Sequence, residues 1–350
     1  MATRADVARL AGVSESTVSY ALNGQRSIKA ETRQRVLAAV EKLNYTPHFA
    51  AGVLAGGKSN SIALIFPSYG GSFSSLHLDY VEGIIAGARE RNFHVIVWPG
   101  EDTSSTEILR FHKTGLVSGV ILMEILDEDE WVNSLTKAEI PFVMIGRTAR
   151  PEKFKYVDRD FEGSARISLE YLQELGHQRI AVLTHSREVA GHLVSVDERF
   201  TVAMKSEAKK LGIGIEVITK TNSIEGGFES FKTFEGLNEA SRVTGVIGLA
   251  DLMTLGFISA AQQAGVRIPD DISVVGLNNP RNQISLIHPN LTVVSLPAHE
   301  MGKAAANILI DELTGENSHT TQQLWGGDIA PAQSSGAAPK GRSIAEEYKK

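Results

Sequence analysis

Residues 3–22 of the chain read TRADVARLAGVSESTVSYAL, and this stretch decides the architecture of the N-terminal end. Thr3 with Asp6 three residues later is a capping-box pattern, which marks the start of a helix. Gly12 suits the left-handed stop of that helix, and Ser14 is an N-cap for a second one. Two short helices joined by a tight turn that contains glycine predict a helix-turn-helix.

A third helix is predicted for residues 30–43. Its apolar side chains recur at helical spacing on one face, at Val36, Leu37, Val40 and Leu43. In a helix-turn-helix the second helix enters the major groove of DNA while the first crosses the backbone. A three-helix bundle with no role on DNA is the alternative that this pattern alone leaves open.

The charge of the chain is unevenly distributed. Residues 1–58 hold eight Lys and Arg against four Asp and Glu, a net charge of +4. Because the whole 350-residue chain carries −6, the remainder carries −10. A basic head on an acidic body indicates a nucleic-acid-binding module joined to another domain, and the acidic body would discourage non-specific contact with DNA.

The composition is that of a globular protein of about two to three domains, with 42% hydrophobic and 22% charged residues. The absence of cysteine excludes disulfides, cysteine nucleophiles and thiolate metal sites. Glu124 interrupts the longest apolar run, residues 117–126, which is too short to span a bilayer. No secretory signal is visible at the N-terminus, so we expect a cytoplasmic protein with no membrane partner.

Residues 47–60 read PHFAAGVLAGGKSN and separate the head, residues 1–46, from the body. Residues 50–55 allow one or two helical turns, but their glycine and short length make such a helix unstable on its own. By itself this pattern favours a flexible interdomain linker over a helix.

The body, residues 61–330, alternates short apolar strands with amphipathic helices. Nine strands are predicted, at residues 62–66, 95–98, 119–123, 142–145, 180–183, 215–218, 245–248, 272–277 and 291–295. This alternation predicts an α/β fold with two doubly wound parallel sheets, one in each of two lobes. Ligands of such folds bind beyond the carboxyl ends of the strands, here between the lobes. The composition of residues 331–350 predicts a disordered tail.

No catalytic constellation is visible in the sequence. Dinucleotide-binding, P-loop and nucleophile-elbow motifs are absent, and the ten histidines do not pair at metal-ligand spacing. The acidic run at residues 127–130 reads as the solvated start of a helix. The sequence therefore predicts neither an enzyme nor a metal or cofactor site.

Three segments, residues 6–19, 32–36 and 43–47, read DVARLAGVSESTVS, TRQRV and LNYTP. At this spacing they resemble the N-terminal signature of the LacI/GalR family of bacterial transcription regulators, and the resemblance extends over residues 2–330. It implies a helix-turn-helix head, a hinge helix and a two-lobed body like that of periplasmic binding proteins. It further implies a repressor that binds a pseudopalindromic DNA operator as a homodimer, controlled by a small-molecule effector, most often a sugar or sugar derivative.

The resemblance also implies roles on DNA. The base-contacting positions are Glu15, Ser16, Tyr20 and the hinge residue Leu54, which would wedge between base pairs in the minor groove. Many family members carry Arg or His where this chain has Tyr20, so a bidentate contact to guanine is missing there. Glu15 can accept from a cytosine amino group but would repel phosphate.

Phosphate contacts are implied for Thr17, Asn23 and Thr32. Lys29 stands where the family often has a serine N-cap, which weakens the start of the third helix by about 0.5–2 kcal/mol. A contact of Lys29 with phosphate would offset this loss.

Effector contacts are implied for Phe73, Asp160, Arg199, Phe228 and Asn278. Each of three has a structural alternative: Arg199 in an ion pair, Phe228 in the core, and Asp160 as an N-cap. Asn278 and Ala250 stand where the family often has acceptors for sugar hydroxyls. These replacements favour a ligand with fewer hydroxyls, a different charge or a phosphate, or a pocket that responds weakly.

Two other classes of protein share parts of this pattern. A solute-binding protein for transport has the two-lobed body, but needs a signal sequence and has no basic helical head. An enzyme that uses the cleft needs acid–base pairs at the strand ends, which are not evident. Whether the effector releases or promotes DNA binding is left open by the sequence.

Overall fold

The computed structural model describes residues 2–23, 28–45, 59–66, 75–99, 105–185, 188–189, 192–193, 195–277, 287–316 and 321–339. Within these ranges the chain forms eleven helices and fourteen strands. Residue contacts group Met1–Ser61 with Thr106–Ser118 in one unit, and Ile62–Ser105 with Gly119–Lys350 in a second.

The helices are α1 (Arg4–Ala11), α2 (Glu15–Asn23), α3 (Ala30–Lys42), α4 (Ser75–Glu90), α5 (Ser105–Lys113), α6 (Glu130–Lys137), α7 (Phe161–Glu174), α8 (Ser195–Leu211), α9 (Ile224–Ser241), α10 (Asp251–Gln263) and α11 (Ala298–Thr314). The strands are β1 (Ser61–Phe66), β2 (His94–Pro99), β3 (Gly119–Met123), β4 (Phe142–Ile145), β5 (Tyr156–Arg159), β6 (Arg179–Thr184), β7 (Glu188–Val189), β8 (His192–Leu193), β9 (Gly214–Thr219), β10 (Gly245–Gly248), β11 (Ser273–Gly276), β12 (Thr292–Ser295), β13 (Gln322–Trp325) and β14 (Asp328–Ala330).

Helices α1, α2 and α3 form the helical head. The amide of Asp6 donates to Thr3 Oγ1 over 3.2 Å, and the amide of Thr3 donates to Asp6 Oδ2 over 2.9 Å. Gly12 ends α1 with φ of 65°, a left-handed conformation that glycine adopts without strain. The predicted start and end of the first helix are therefore confirmed.

The core of the head consists of small side chains from all three helices. They are Val7, Ala8, Ala11, Val18, Ala21, Val36 and Ala39. On α3 the buried side chains are Val36 and Ala39. Leu37, which the sequence places on the apolar face of α3, is exposed.

The first sheet has the strand order β13-β5-β4-β3-β1-β2. Its neighbouring strands from β13 to β1 pair in parallel, for example at Ile62 with Gly119, and every residue of β1 is buried. Helices α4 and α11 cover one face and form a core with β1, in which Leu64, Ile84 and Leu309 are fully buried. We call this sheet and its helices the first lobe.

The second sheet has the order β14-β12-β11-β10-β6-β9, and only β14 runs antiparallel to its neighbour in the recorded pairs. One face packs against α9 and α10 through Phe234 and Phe257, and the other against α7 and α8 through Phe161 and Phe200. We call this sheet and its helices the second lobe. The predicted fold class, an N-terminal helix-turn-helix followed along the chain by two mostly parallel sheets, is confirmed.

The chain passes between the two lobes three times. It leaves the first sheet after β5, returns after β12 to form α11, and crosses again between β13 and β14. The sequence did not predict β5, β13 or β14, so it missed the strand before the first crossing and both strands beside the third.

Residues 331–339 are ordered, contrary to the predicted disordered tail. Ser334 is fully buried, and its carbonyl accepts from the amide of Val274 over 2.8 Å. Its hydroxyl accepts from the amide of Thr292 over 2.8 Å. This segment satisfies backbone groups at the amino ends of β11 and β12, which explains its order despite its composition. Residues 340–350 lie outside the described residues.

His177 is buried beneath the same segment. Its Nδ1 lies 2.8 Å from Thr244 Oγ1, and its Nε2 lies 3.0 Å from Ser273 Oγ and 3.2 Å from the carbonyl oxygen of Gly336. Burial lowers the pKa of His177 below its ordinary value of 6.5, and the hydrogen bond to Gly336 acts in the opposite direction. The imidazole thus joins the C-terminal segment to the second sheet.

Candidate DNA-binding and effector-binding sites

The amino end of α2 carries a cluster of hydroxyl groups. Ser14 caps the helix by accepting from the amide of Thr17 over 3.2 Å, as predicted. The Ser14 hydroxyl also lies 2.8 Å from the hydroxyls of both Ser16 and Thr17. Hydroxyls at a helix N-terminus, where amide groups point outward, form a suitable surface for a phosphate group.

Glu15 is the first residue of α2 and forms an ion pair across the turn. Arg4 Nε, on the first residue of α1, donates to Glu15 Oε2 over 3.4 Å. The two side chains are 38% and 53% exposed. The sequence singled out Glu15 but not Arg4, because the pair joins residues eleven positions apart in different helices.

The remaining predicted DNA contacts lie on or beside the same helices. Tyr20 on α2 and Thr32 on α3 are partly buried, and exposed Lys29 precedes α3 without forming a side-chain cap. Asn23 ends α2. Leu54 lies outside the described residues. Their contacts with DNA remain predictions.

Arg199, near the start of α8 in the second lobe, reaches groups that follow the strands of the first lobe. Its Nη1 donates to the carbonyl of Arg147 over 2.8 Å. Its Nη2 donates to the carbonyl of Thr148 over 3.0 Å and to Asp127 Oδ1 over 2.9 Å. Asp127 follows β3, and the two carbonyls follow β4. Arg199 therefore connects the two lobes.

Asp158 on β5 completes this group of charges. Its side chain is only 4% exposed, and its Oδ2 lies 3.3 Å from Arg147 Nε and 3.7 Å from Arg199 Nη1. No described residue forms a hydrogen bond with that oxygen. Burial raises the pKa of Asp158, whereas the neighbouring guanidinium groups favour its charged form. We call Arg199, Asp127, Arg147, Thr148 and Asp158 the Arg199 cluster.

Asp160 and Phe228 occupy the structural roles that the sequence left open. Asp160 is the N-cap of α7, and its Oδ1 accepts from the amide of Gly163 over 2.9 Å. Phe228 on α9 is partly buried against the core of the second lobe. Neither role excludes a ligand contact. Phe73 and Asn278 lie outside the described residues.

The sequence missed a histidine–carboxylate pair at the carboxyl end of the first sheet. Glu124 directly follows β3 with a left-handed φ of 54°, and its Oε1 lies 2.9 Å from Nε2 of His77 on α4. The ring of His77 also meets that of Phe66, the last residue of β1, in a T-shaped arrangement with 5.5 Å between centroids. Glu124 did interrupt an apolar run in the sequence, and that was the available signal.

A second polar pair lies at the carboxyl end of β10. Ala250 precedes α10 without a side-chain cap, and the following Asp251 is buried. Asn222 Nδ2 lies 3.5 Å from Asp251 Oδ1, and Asn222 Oδ1 accepts from the amide of Met253 over 3.3 Å. Both lobes thus place polar side chains at the carboxyl ends of their parallel strands, where ligands of this fold bind.

The chain resembles known proteins along nearly its whole length. A sequence profile described as "Bacterial regulatory proteins, lacI family" matches residues 3–48, and one described as "Periplasmic binding protein-like domain" matches residues 169–335. The HTH-type transcriptional regulator AglR of Rhizobium meliloti (strain 1021) is 31% identical, and the match covers 95% of this chain and 94% of AglR. The chain belongs to the LacI family of bacterial transcriptional regulators. The HTH-type transcriptional regulator CelR of Thermobifida fusca is 29% identical over 89% of this LacI-family chain and 92% of CelR.

Solved structures agree with this assignment. A lac repressor dimer bound to operator and the anti-inducer ONPF is 26% identical, with a TM-score of 0.78 over 96% of this chain and 99% of its own. A complex of the regulator CelR with cellobiose has a TM-score of 0.68 at 24% identity, covering 95% of this chain and all of the other, and shows the shared fold.

This LacI-family chain is therefore a transcriptional regulator whose binding to DNA is controlled by an effector. None of the helices in the described ranges is long and apolar enough to cross a membrane. The described residues also contain no group of three or more side chains suited to hold a metal ion.

Proposed function

We propose that this protein is a repressor that binds a pseudopalindromic operator as a homodimer, and that a sugar or sugar derivative between its lobes controls this binding. The observation that carries the proposal is the Arg199 cluster. It connects the two lobes at the carboxyl ends of strands, where a ligand would insert. A ligand that competes for these charged groups changes the contacts between the lobes and so favours another arrangement of them.

A carbohydrate suits the chemistry of this region. The cluster offers guanidinium donors and carboxylate acceptors for hydroxyl groups, and the partly buried ring of Phe228 offers a face on which the apolar side of a sugar can stack. The cellobiose complex of CelR is a precedent within the same fold. The effector contacts in this proposal are Phe73, Asp160, Arg199, Phe228 and Asn278.

On DNA, α2 is the recognition helix in this proposal. Its first turn presents Glu15 and Ser16 to base edges, with Tyr20 one turn farther on. The hydroxyl cluster at its amino end supports the assignment of Thr17 to a backbone phosphate. Further phosphate contacts are assigned to Asn23, Thr32 and Lys29, and Leu54 is assigned to the minor groove.

An exposed apolar stripe on α4 supports the homodimer. Leu78 and Ile85, two helical turns apart, are 52% and 44% exposed. The other side of α4 packs so tightly on α11 that a Cβ on Gly83 would lie 1.9 Å from the carbonyl oxygen of His299. The stripe is therefore available to a second copy, and a two-fold dimer would match the two half-sites of an operator.

The proposal predicts a coupling between the effector and DNA of about 1–3 kcal/mol, which corresponds to a change of about 5- to 150-fold in operator affinity. The hinge segment, residues 47–60, would transmit this coupling, since a marginally stable helix responds to small changes in the body. The protein would act in the cytoplasm, where its operator lies.

A thermal-shift screen with sugars and sugar phosphates, followed by a titration of the native promoter with and without the hit, tests this proposal. We expect a hit that raises the melting temperature and changes promoter affinity within that range. A hit that leaves promoter affinity unchanged contradicts effector control. Conversion of the bound sugar to a product indicates an enzyme instead.

A further inference from the structure

The ion pair between Arg4 and Glu15 leaves part of each side chain available. Only Arg4 Nε takes part in the pair, and within the described part of the chain its Nη1 and Nη2 form no hydrogen bond. Likewise, Glu15 is engaged through Oε2 alone. Both residues are the first of their helices and both are substantially exposed, so the free edges can reach a ligand at this end of the head.

These free edges match the groups of a G·C base pair in the major groove. Two parallel N–H donors on a guanidinium complement the O6 and N7 acceptors of guanine, and a carboxylate oxygen accepts from the N4 amino group of cytosine. The contact of Nε with Glu15 over 3.4 Å favours one orientation of the guanidinium, so less side-chain entropy is lost when it binds a base.

The pair also resolves a difficulty on the recognition helix. Tyr20 provides no guanidinium, and an isolated carboxylate at Glu15 would be repelled by the phosphates of DNA. Arg4 supplies the missing guanidinium from the neighbouring helix and neutralises the charge of Glu15.

We propose that Arg4 is a base-reading residue, and that Arg4 and Glu15 form one guanidinium–carboxylate unit that reads a G·C pair in each operator half-site. The inference rests on the proposed function, because it takes α2 as the recognition helix. It assigns guanine to Arg4 and the cytosine amino group to Glu15.

Binding of the full-length chain to a library of half-sites, randomised one base pair at a time, tests the proposal. We expect Arg4→Ala to reduce the preference for guanine at one position by about 5- to 100-fold and to leave the other positions unchanged. Arg4→Lys keeps the charge and can still donate to guanine but lacks the planar guanidinium edge, so it should reduce the same preference less than Arg4→Ala does. Arg9→Ala is the charge-matched control, because Arg9 also lies on α1, is exposed and pairs with Asp6 over 3.1 Å. It should lower affinity for all sequences by one common factor.

The double variant Arg4→Glu with Glu15→Arg separates base reading from a purely structural ion pair. It retains an oppositely charged pair but exchanges the donor and the acceptor, so we expect a changed base preference. Restoration of the wild-type preference would overturn the proposal, as would a loss in Arg4→Ala that is equal at every position. Wild-type protein with no sequence preference would instead contradict the proposed function itself.

Circular dichroism melting of each variant verifies that the head is folded. If Arg4→Ala does not fold, the base preferences of Arg4→Lys and of the double variant test the proposal.

Discussion

Replacing Arg199 with alanine should weaken the connection between the lobes and remove the response to the effector. The change deletes two hydrogen bonds from a charged donor to the carbonyls of Arg147 and Thr148, each contributing about 1.5 kcal/mol at the lower end of the usual range. The ion pair with Asp127, which is 41% exposed, adds up to about 1 kcal/mol. Arg147 continues to face Asp158, so that carboxylate is not left without a cation. The expected loss is therefore about 3–4 kcal/mol.

Urea unfolding without effector measures this loss, and operator titrations with and without effector measure the response. The matched control is Arg91→Ala. Arg91 is similarly buried and binds Asp311 and Glu316 over 2.8 Å, but all three residues belong to the first lobe. It should destabilise the protein and keep the effector response. Wild-type stability and response in Arg199→Ala, or an equal loss of response in Arg91→Ala, would refute the reasoning.

Three further predictions concern other parts of the molecule. Burial lowers the pKa of His177 in the folded protein, so as the pH falls below 6.5 this residue binds a proton in the unfolded chain before it does so in the folded one. The free energy of unfolding should therefore decrease below pH 6.5, by at most about 1.4 kcal/mol per pH unit for this residue. His177→Gln should make this decrease shallower in urea titrations at several pH values, while His112, whose pKa is also lowered by burial, retains its share. A slope equal to that of the wild type would contradict the contribution of His177. Ile85→Asp should yield monomers in analytical ultracentrifugation, because it places a charge on the exposed apolar stripe of α4. Val202→Asp, also at an exposed apolar position, should remain a dimer. Dimers of both variants would contradict an interface at α4. Leu54→Ala should weaken specific operator binding far more than non-specific binding in titrations at matched salt, and an equal loss in both would remove the wedge hypothesis.

The sequence predicted the buried parallel strands well, because such strands read as continuous apolar runs. All nine predicted strands overlap strands of the structure. The missed strand β5 contains Asp158 and Arg159, whose charges conceal its buried position. Strands β13 and β14 lie at sheet edges and are only partly buried, so their pairing leaves no clear hydrophobic pattern.

The sequence identified individual residues of the candidate sites, but it did not show which residues contact one another. Arg199 was identified, whereas its partners Asp127 and Thr148 lie more than fifty residues away and carry no local signal of the contact. His77 and Glu124 meet only because β3 ends beside α4. Ion pairs of this kind depend on tertiary packing, which local spacing in a sequence does not encode.

The tail shows the limit of composition as a guide to order. Residues 331–339 are rich in small residues, which suggested disorder, yet such residues fit closely against the amino ends of β11 and β12. Ser334 donates to the carbonyl of Val274 over 2.6 Å as well as accepting from the neighbouring strand. Order here comes from backbone groups that need partners rather than from apolar side chains.

In the proposed mechanism, the effector between the lobes and the operator at the head are thermodynamically coupled. Calorimetric titration of the effector into the free protein and into the protein–operator complex tests this most directly. Because coupling is reciprocal, the two dissociation constants should differ by the same factor, about 5- to 150-fold, by which the effector changes operator affinity. Equal dissociation constants for the effector in both titrations would contradict the account.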